Sequence, residues 1–337
     1  MSYQIRVAQS DIAFECAEGA TILEAARKGG YELPYSCRTG ICGSCKGRLV
    51  DGSVDMPHTS EALSPEEMAA GYTLFCQARP TSDVEIGALS ITRLDPNAHQ
   101  TVDAKVYKLT RVADDVTLLQ LRFPAGKRVR FQAGQYLQVL MADGSRRSYS
   151  MANPPHQNDG VQLHVRHLPG GRFSSYLEST AAAGDIIRVE MAFGDFYLRE
   201  NTGKPLVFVA SGTGFAPIKS ILEDMFKRGT PHRPVTLYWG ARRKADLYQA
   251  ELPEKWATLY PAFRFVPVLS EETDGVSRTG FVHRAVIDDF ASLAGHEVYA
   301  CGVPAMITAA RKDFTGQRGL PPEAFFCDAF VTEAAQD

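Results

Sequence analysis

The sequence predicts a multidomain α+β and α/β protein, in which a small mixed domain is followed by an antiparallel β-barrel and a doubly wound α/β domain. Three observations carry this. At 337 residues the chain exceeds one ordinary domain and has room for two or three. Four of its seven cysteines fall between residues 37 and 76, which sets the N-terminal part chemically apart. Near Pro205 the apolar pattern changes from alternation broken by glycine and proline turns to continuous apolar runs followed by helical segments.

In the first domain, residues 3–7 and 12–14 read as a short hairpin, and Thr21-Ile22-Leu23-Glu24 opens a helix with a capping box. Cys37, Cys42 and Cys45 then stand at the spacing C-x4-C-x2-C, with Cys76 far downstream. This is the ligand spacing of a plant-type two-iron two-sulfur cluster. Gly40 and Gly43 let the backbone fold tightly enough for amide N–H groups to point at the sulfurs. Cys76 closes the site from a separate segment, after a helix that Ser64-Pro65-Glu66-Glu67 starts with a cap, a first-turn proline and a capping box. The alternatives are a structural zinc site, which usually shows two C-x2-C-like pairs, or buried thiols.

Residues 91–103 lose hydrophobic periodicity and read as a linker. Alternation returns in residues 104–107, 117–122 and 135–140, and short strands with tight turns predict a small antiparallel barrel. Arg147-Ser148-Tyr149-Ser150 combines a guanidinium suited to phosphate, a ring that can stack on a flat heterocycle and a hydroxyl. Gly170-Gly171-Arg172-Phe173-Ser174 offers a second phosphate cradle ahead of a helix. Each segment alone also reads as a turn with a solvated arginine.

Residues 206–210 form a continuous apolar run, fit for a strand buried on both faces, with a helix from Pro217 to follow. Between them Ser211-Gly212-Thr213-Gly214-Phe215-Ala216-Pro217 can bring backbone N–H groups to a pyrophosphate, or can simply pack a helix on a strand. Further strands at residues 235–239, 263–268 and 297–300 give the rhythm of a doubly wound fold. Cys301-Gly302 sits at the carboxyl end of the last, where open α/β sheets hold ligands, although a lone cysteine also reads as a small core residue. After the second strand comes Gly240-Ala241-Arg242-Arg243-Lys244. An acid there selects a ribose 2′-hydroxyl and a base tolerates a 2′-phosphate; no acid stands before Asp246, so the basic run should permit a 2′-phosphate, with Arg242 or Arg243 at the adenosine end of a bound nucleotide.

Composition narrows the function. With 45% hydrophobic and 22% charged residues and no apolar run of about 18, a soluble chain without a membrane span is expected. The N-terminus lacks a signal-peptide core and four cysteines are committed to metal, so a reducing cytoplasm and no disulfides are expected. Residues 1–90 carry seven Lys+Arg against twelve Asp+Glu and the rest 29 against 27, a balance that argues against nucleic-acid binding. The acidic N-terminal face is either a docking surface for a redox partner or a solvated surface.

Taken in this order, the cluster loop, Arg147-x-Tyr149-Ser150, Gly170-Gly171-Arg172-Phe173-Ser174, Gly212-Thr213-Gly214-Phe215-Ala216-Pro217 and Cys301-Gly302-Val303-Pro304 resemble the NAD(P)H-dependent, FAD-containing reductases of multicomponent aromatic-ring dioxygenases, over essentially the whole chain. The resemblance implies a β-grasp plant-type ferredoxin domain over residues 1–92, an antiparallel FAD-binding barrel over 101–200, and a doubly wound NAD(P)-binding domain over 204–337, as in ferredoxin reductases. It implies Arg147 on the FAD phosphates, Tyr149 against the isoalloxazine, Ser150 near flavin N5, and Gly171 and Ser174 at the pyrophosphate. Gly170, Arg172 and Phe173 complete that cradle. His164 and Val165, on the preceding strand, count among the cofactor-side candidates, although His164 and His167 beside Arg166 read as structural. The nicotinamide nucleotide would lie over Gly212, Thr213, Gly214 and Pro217, near Cys301 and Gly302. Phe330, in an aromatic tail, is a flavin neighbour or part of a final buried strand. Two departures stand out: Val303 where a proline-like residue is common, and Met191-Ala192-Phe193-Gly194 in place of a glycine-proline start.

A hydride carries two electrons and an iron–sulfur cluster takes one at a time, so a flavin must stand between them. The reading is an electron-transfer reductase with FAD, a 2Fe-2S cluster and NADH or NADPH. Its partner is a terminal oxygenase component, it works as a monomer, and it needs no catalytic acid or base. Alternatives are the reductase of a deoxysugar dehydratase or of a monooxygenase hydroxylase, which use the same modules. A ferredoxin-like docking or assembly protein without turnover is a further class, against which the two nucleotide cradles argue.

Overall fold

The computed structural model describes residues 2–56, 62–88, 90–95, 99–199, 202–229 and 233–331. The chain divides into two compact units, Met1–Ala98 with Cys327–Asp337, and His99–Phe326.

In the first unit, β1 (Ser2–Val7) and β2 (Ala13–Ala17) form the expected hairpin, and α1 (Ile22–Lys28) starts at a Thr21 cap whose capping box with Glu24 is complete. There follow β3 (Tyr31–Glu32), β4 (Lys46–Asp51), β5 (Val54–Asp55), α2 (Pro65–Ala69), β6 (Tyr72–Leu74), β7 (Arg79–Pro80), β8 (Val84–Gly87) and β9 (Thr92–Arg93). The main sheet runs β2-β1-β8-β4-β6, with β1 and β8 parallel and the other pairs antiparallel. Ile22, Ala25 and Ala26 of α1 pack into its core beside Ile5, Phe14, Phe75 and Ile86, which is the β-grasp arrangement. The expected linker is partly structured, because Thr92–Arg93 pairs with Tyr31–Glu32 and the next strand already begins at Gln100.

The second unit begins with β10 (Gln100–Ala113), β11 (Val116–Arg122), β12 (Tyr136–Leu140), β13 (Arg146–Ser150), β14 (Gly160–Arg166), α3 (Arg172–Ser179) and β15 (Ile186–Phe193). These strands form an antiparallel sheet in the order β13-β12-β15-β10-β11-β14. A bridge between Met151 and Leu163 closes it into a barrel. Val102, Ala104, Val106, Leu137, Val139, Val165 and Val189 fill the interior by alternation. The register of β12 on β15 shifts at Phe193, and the extra residue, Ala192, takes φ +73.

The doubly wound part comprises β16 (Leu206–Ser211), α4 (Phe215–Lys227), β17 (Val235–Ala241), α5 (Glu251–Leu259), β18 (Phe263–Leu269), β19 (Arg278–Thr279), α6 (Val282–Asp289), β20 (Glu297–Gly302) and α7 (Pro304–Arg318), after which comes β21 (Phe325–Ala329). Strands β19, β18, β17, β16 and β20 lie side by side in that order, all parallel. The first strand laid down, β16, therefore has β17 on one side and β20 on the other. That is a topological switch point, and open α/β sheets hold their ligands at the carboxyl ends of the strands there.

Candidate functional site

The four cysteines named from the sequence come together in two pairs, Cys37 with Cys42 and Cys45 with Cys76. Among the described residues no three side chains converge on a single-ion site. Two thiol pairs instead suit the two irons of a binuclear cluster. The loop also supplies the amides that such a cluster needs: Thr39 and Cys42 N–H donate to Cys37 Sγ at 3.4 and 3.3 Å, and Cys37 and Ser44 N–H donate to Cys42 Sγ at 3.5 Å. Donation from the Cys42 thiol draws the Cys37 pKa down to about 5, toward the thiolate that binds metal. Cys76 is held against the start of α1, where Ile22 and Leu23 N–H donate to the oxygens of Ala78 and Phe75.

Sequence reasoning missed three residues here. The Cys327 thiol donates to the Cys42 oxygen at 3.2 Å, and Ser36 Oγ, beside Cys37, donates to the Asp328 carboxyl at 2.5 Å. Burial raises the Asp328 pKa to about 7. Nothing local in Phe325-Phe326-Cys327-Asp328 announces a contact with a loop so distant in sequence. Phe330 is half-buried just beyond β21.

In the barrel, Tyr149 at the end of β13 and Phe173 in the first turn of α3 bring their rings to 5.2 Å, which joins the two motifs read from the sequence. Arg147 and Tyr149 are half-buried, Ser150 and Ser174 are buried, and Arg172 is exposed and paired with Asp143. Gly171 caps α3 without a side-chain acceptor, so the first N–H groups of that helix are open to an anion, and Gly170 has open space around it. A guanidinium, an aromatic face and an uncapped helix start fit a ligand with a flat ring system and a pyrophosphate. Val165 is wholly buried in the barrel core, and His164 is buried with Nδ1 2.9 Å from Tyr248 Oη. Burial, followed by the charge of Lys219, holds the His164 pKa well below the usual histidine range.

At the switch point the two glycine motifs interlock. A Cβ on Gly214 would meet the Cys301 oxygen at 2.1 Å, and one on Gly302, at φ +143, would meet Ser211 Oγ at 2.0 Å. Only glycine fits either place. Ser211 Oγ in turn accepts from Val303 N–H at 3.0 Å. Gly212, Thr213, Gly214 and Pro217 are buried, and Cys301 is completely so. The helix starts at Phe215, two residues before the expected Pro217, which takes a first-turn position where its missing N–H costs nothing. No side chain caps this helix either.

Two further residues face the turn. The Arg166 guanidinium, from β14, lies 3.0 Å from where a Gly212 Cβ would be, and Asp115 Oδ2 stands 3.2 Å from Arg166 Nε. Asp115 also lies 3.8 Å from Arg242, and Asp114 3.9 Å from Arg243, which places both predicted coenzyme-contacting arginines against a turn of the barrel.

Comparison with known proteins gives the family. The chain matches the models of a 2Fe-2S iron-sulfur cluster binding domain over residues 5–81, an oxidoreductase FAD-binding domain over 103–197 and an oxidoreductase NAD-binding domain over 208–312. It is 44% identical to reductase component 2 of terephthalate 1,2-dioxygenase from Comamonas sp., over 98% of both chains. It is 38% identical to CDP-6-deoxy-L-threo-D-glycero-4-hexulose-3-dehydrase reductase from Yersinia pseudotuberculosis, over 98% of this chain and 99% of that one. Among solved structures, an Amycolatopsis cytochrome P450 reductase aligns with a TM-score of 0.76 at 36% identity, over 98% of this chain and 99% of its own. The chain belongs to the family of NAD(P)H-dependent reductases that carry FAD and a plant-type 2Fe-2S cluster. Among the described residues no helix is long and apolar enough to cross a membrane.

Proposed function

We propose that this protein is the reductase component of an aromatic-ring dioxygenase system, passing electrons from NAD(P)H to a terminal oxygenase. The observation that carries the reading is one chain in which four paired thiols with amide donors accompany a flavin cradle and a glycine turn at a switch point. FAD, when bound, would supply the conversion between the two-electron chemistry of the coenzyme and the one-electron chemistry of the cluster. The protein's own groups bind and orient. Arg147 and the start of α3 hold phosphates, Tyr149 and Phe173 present ring faces, and Ser150 offers a hydroxyl at the reacting edge. Gly212, Thr213 and Gly214 let the coenzyme approach the backbone, with Arg242 and Arg243 toward its adenosine end. Cys37, Cys42, Cys45 and Cys76 ligate the cluster. No side chain has to move a proton for electrons to pass. The protein works as a monomer in a reducing cytoplasm, where thiol ligands stay reduced.

The identity with the Comamonas relative favours the oxygenase as acceptor, and the Yersinia relative supplies the second reading, a deoxysugar dehydratase. The test is anaerobic reduction by NADH, followed by optical bleaching of the flavin and by the paramagnetic signal of the reduced cluster. The reduced protein is then mixed with an aromatic-ring oxygenase component or with a dehydratase. Reoxidation coupled to ring hydroxylation supports the proposal, and coupling to the dehydratase alone overturns it.

A further inference from the structure

The run Arg242-Arg243-Lys244 reads in sequence as a welcome for a 2′-phosphate, yet in the folded chain each of these cations faces carboxylates. Arg242 lies 3.8 Å from Asp115 and 4.0 Å from Asp246. Arg243 lies 3.9 Å from Asp114 and 3.6 Å from Asp246. Lys244 Nζ is 3.3 Å from Asp274, and the Lys244 backbone N–H donates to the Glu272 carboxylate at 2.7 Å. Asp114 and Asp115 do not belong to the nucleotide-binding sheet at all; they form the turn between β10 and β11 of the barrel. Asp115 is only 29% exposed and is shared between Arg242 and Arg166, the guanidinium over Gly212.

We propose that Asp114 and Asp115 are specificity-determining residues that make the protein prefer a coenzyme with a free ribose 2′-hydroxyl, so that NADPH is used but NADH is favoured. The proposal rests on the reading that the adenosine end lies over the residues after β17. In many nucleotide-binding folds the acid that selects the 2′-hydroxyl follows the second strand; here the barrel supplies it. A 2′-phosphate dianion entering this place has to displace carboxylates from the arginines and remain beside them, a cost that a hydroxyl does not meet.

The test uses the FAD-loaded holoprotein. Steady-state kinetics with both coenzymes are measured on the wild type, Asp114→Asn, Asp115→Asn, the double variant and Arg242→Ala/Arg243→Ala. Calorimetry compares adenosine 2′,5′-bisphosphate with 5′-AMP, which reports binding without hydride transfer. The double Asp→Asn variant should raise the NADPH to NADH ratio of kcat/KM about five- to tenfold, through KM, and tighten the bisphosphate relative to 5′-AMP by a similar factor. Asp114→Asn, at a turn position 96% exposed, leaves the fold intact and should by itself move the ratio about twofold in the same direction. If the Asp→Asn variants leave the NADPH to NADH ratio unchanged while the Arg→Ala pair lowers it, the proposal fails and the docking reading stands. If neither set moves the ratio or the bisphosphate affinity, both fall. Equal changes with both coenzymes would reduce Asp115 to a support for Arg166 and also overturn the proposal.

Discussion

The Lys219 ammonium, on the helix after the glycine turn, donates to the Ala152 oxygen just beyond β13 at 3.1 Å. One residue on, Ser220 Oγ donates to Asn153 oxygen at 2.7 Å. Lys219 is buried and its charge is met by Glu223 at 2.9 Å. These bonds fix α4 against the segment that follows β13, and so fix the distance between the glycine turn and Arg147-Ser148-Tyr149-Ser150. Lys219→Met keeps the side-chain volume but orphans a buried carbonyl, at a cost of about 1–3 kcal/mol. A lowered melting temperature and slower hydride transfer in stopped-flow are expected together. A lower melting temperature with an unchanged transfer rate would limit the contact to stability.

What the sequence disclosed was local. The cluster spacing lies within nine residues plus one, the capping boxes at Thr21 and Ser64 span four residues each, and both are present. Buried strands such as residues 206–210 carry their own pattern. The linker expectation failed at its C-terminal end because Val102 already alternates with Ala104 and Val106 into the barrel core, a signal masked by the polar residues before it. The pairings of Asp115 with Arg242, Lys219 with Ala152 and Asp328 with Ser36 had no sequence signature. Each joins residues far apart in the chain, and a charge or hydroxyl in isolation reads as solvated.

His164 gives a pH signature. Its pKa is held well below the ordinary histidine value, first by burial and then by Lys219, so the native state keeps it neutral. In the unfolded chain it takes up a proton near pH 6.5. The unfolded state then binds more protons, and stability rises with pH through this window. The contribution is complete above about pH 6.5 and is lost as pH falls. His164→Gln can retain a partner for Tyr248 without titrating. Denaturant midpoints for wild type and variant should therefore converge between pH 7 and 5; parallel curves would show that His164 does not titrate differently on folding.

Cys42→Ser isolates the cluster from the flavin. Cys42 is buried, and its sulfur accepts two amide N–H bonds that a serine oxygen is too short to reproduce. The variant should lose the cluster's visible and paramagnetic signatures and its reduction of a one-electron protein acceptor. NADH-driven reduction of ferricyanide, which needs only flavin, should persist within a few-fold. Loss of that reaction with FAD still bound would contradict the separation of the two half-reactions.

Arg147→Ala is the corresponding test of the flavin cradle. The guanidinium sits half-buried on β13, two residues before Tyr149 on the same face of the strand, and Tyr149 meets Phe173 at the start of α3. A charge-assisted bond to a phosphate contributes about 1.5–3 kcal/mol, so its removal should weaken FAD binding by about ten- to a hundredfold. The four cysteines are untouched, and the iron content should stay at the wild-type level. The purified variant is thus expected to be pale in flavin yet to retain the cluster spectrum, with ferricyanide reduction restored by excess FAD. Arg147→Lys, which keeps the charge but loses the planar fork, should fall between the two. Full FAD occupancy and unaltered affinity in Arg147→Ala would remove Arg147 from the cradle and leave the phosphates to the open N–H groups of α3.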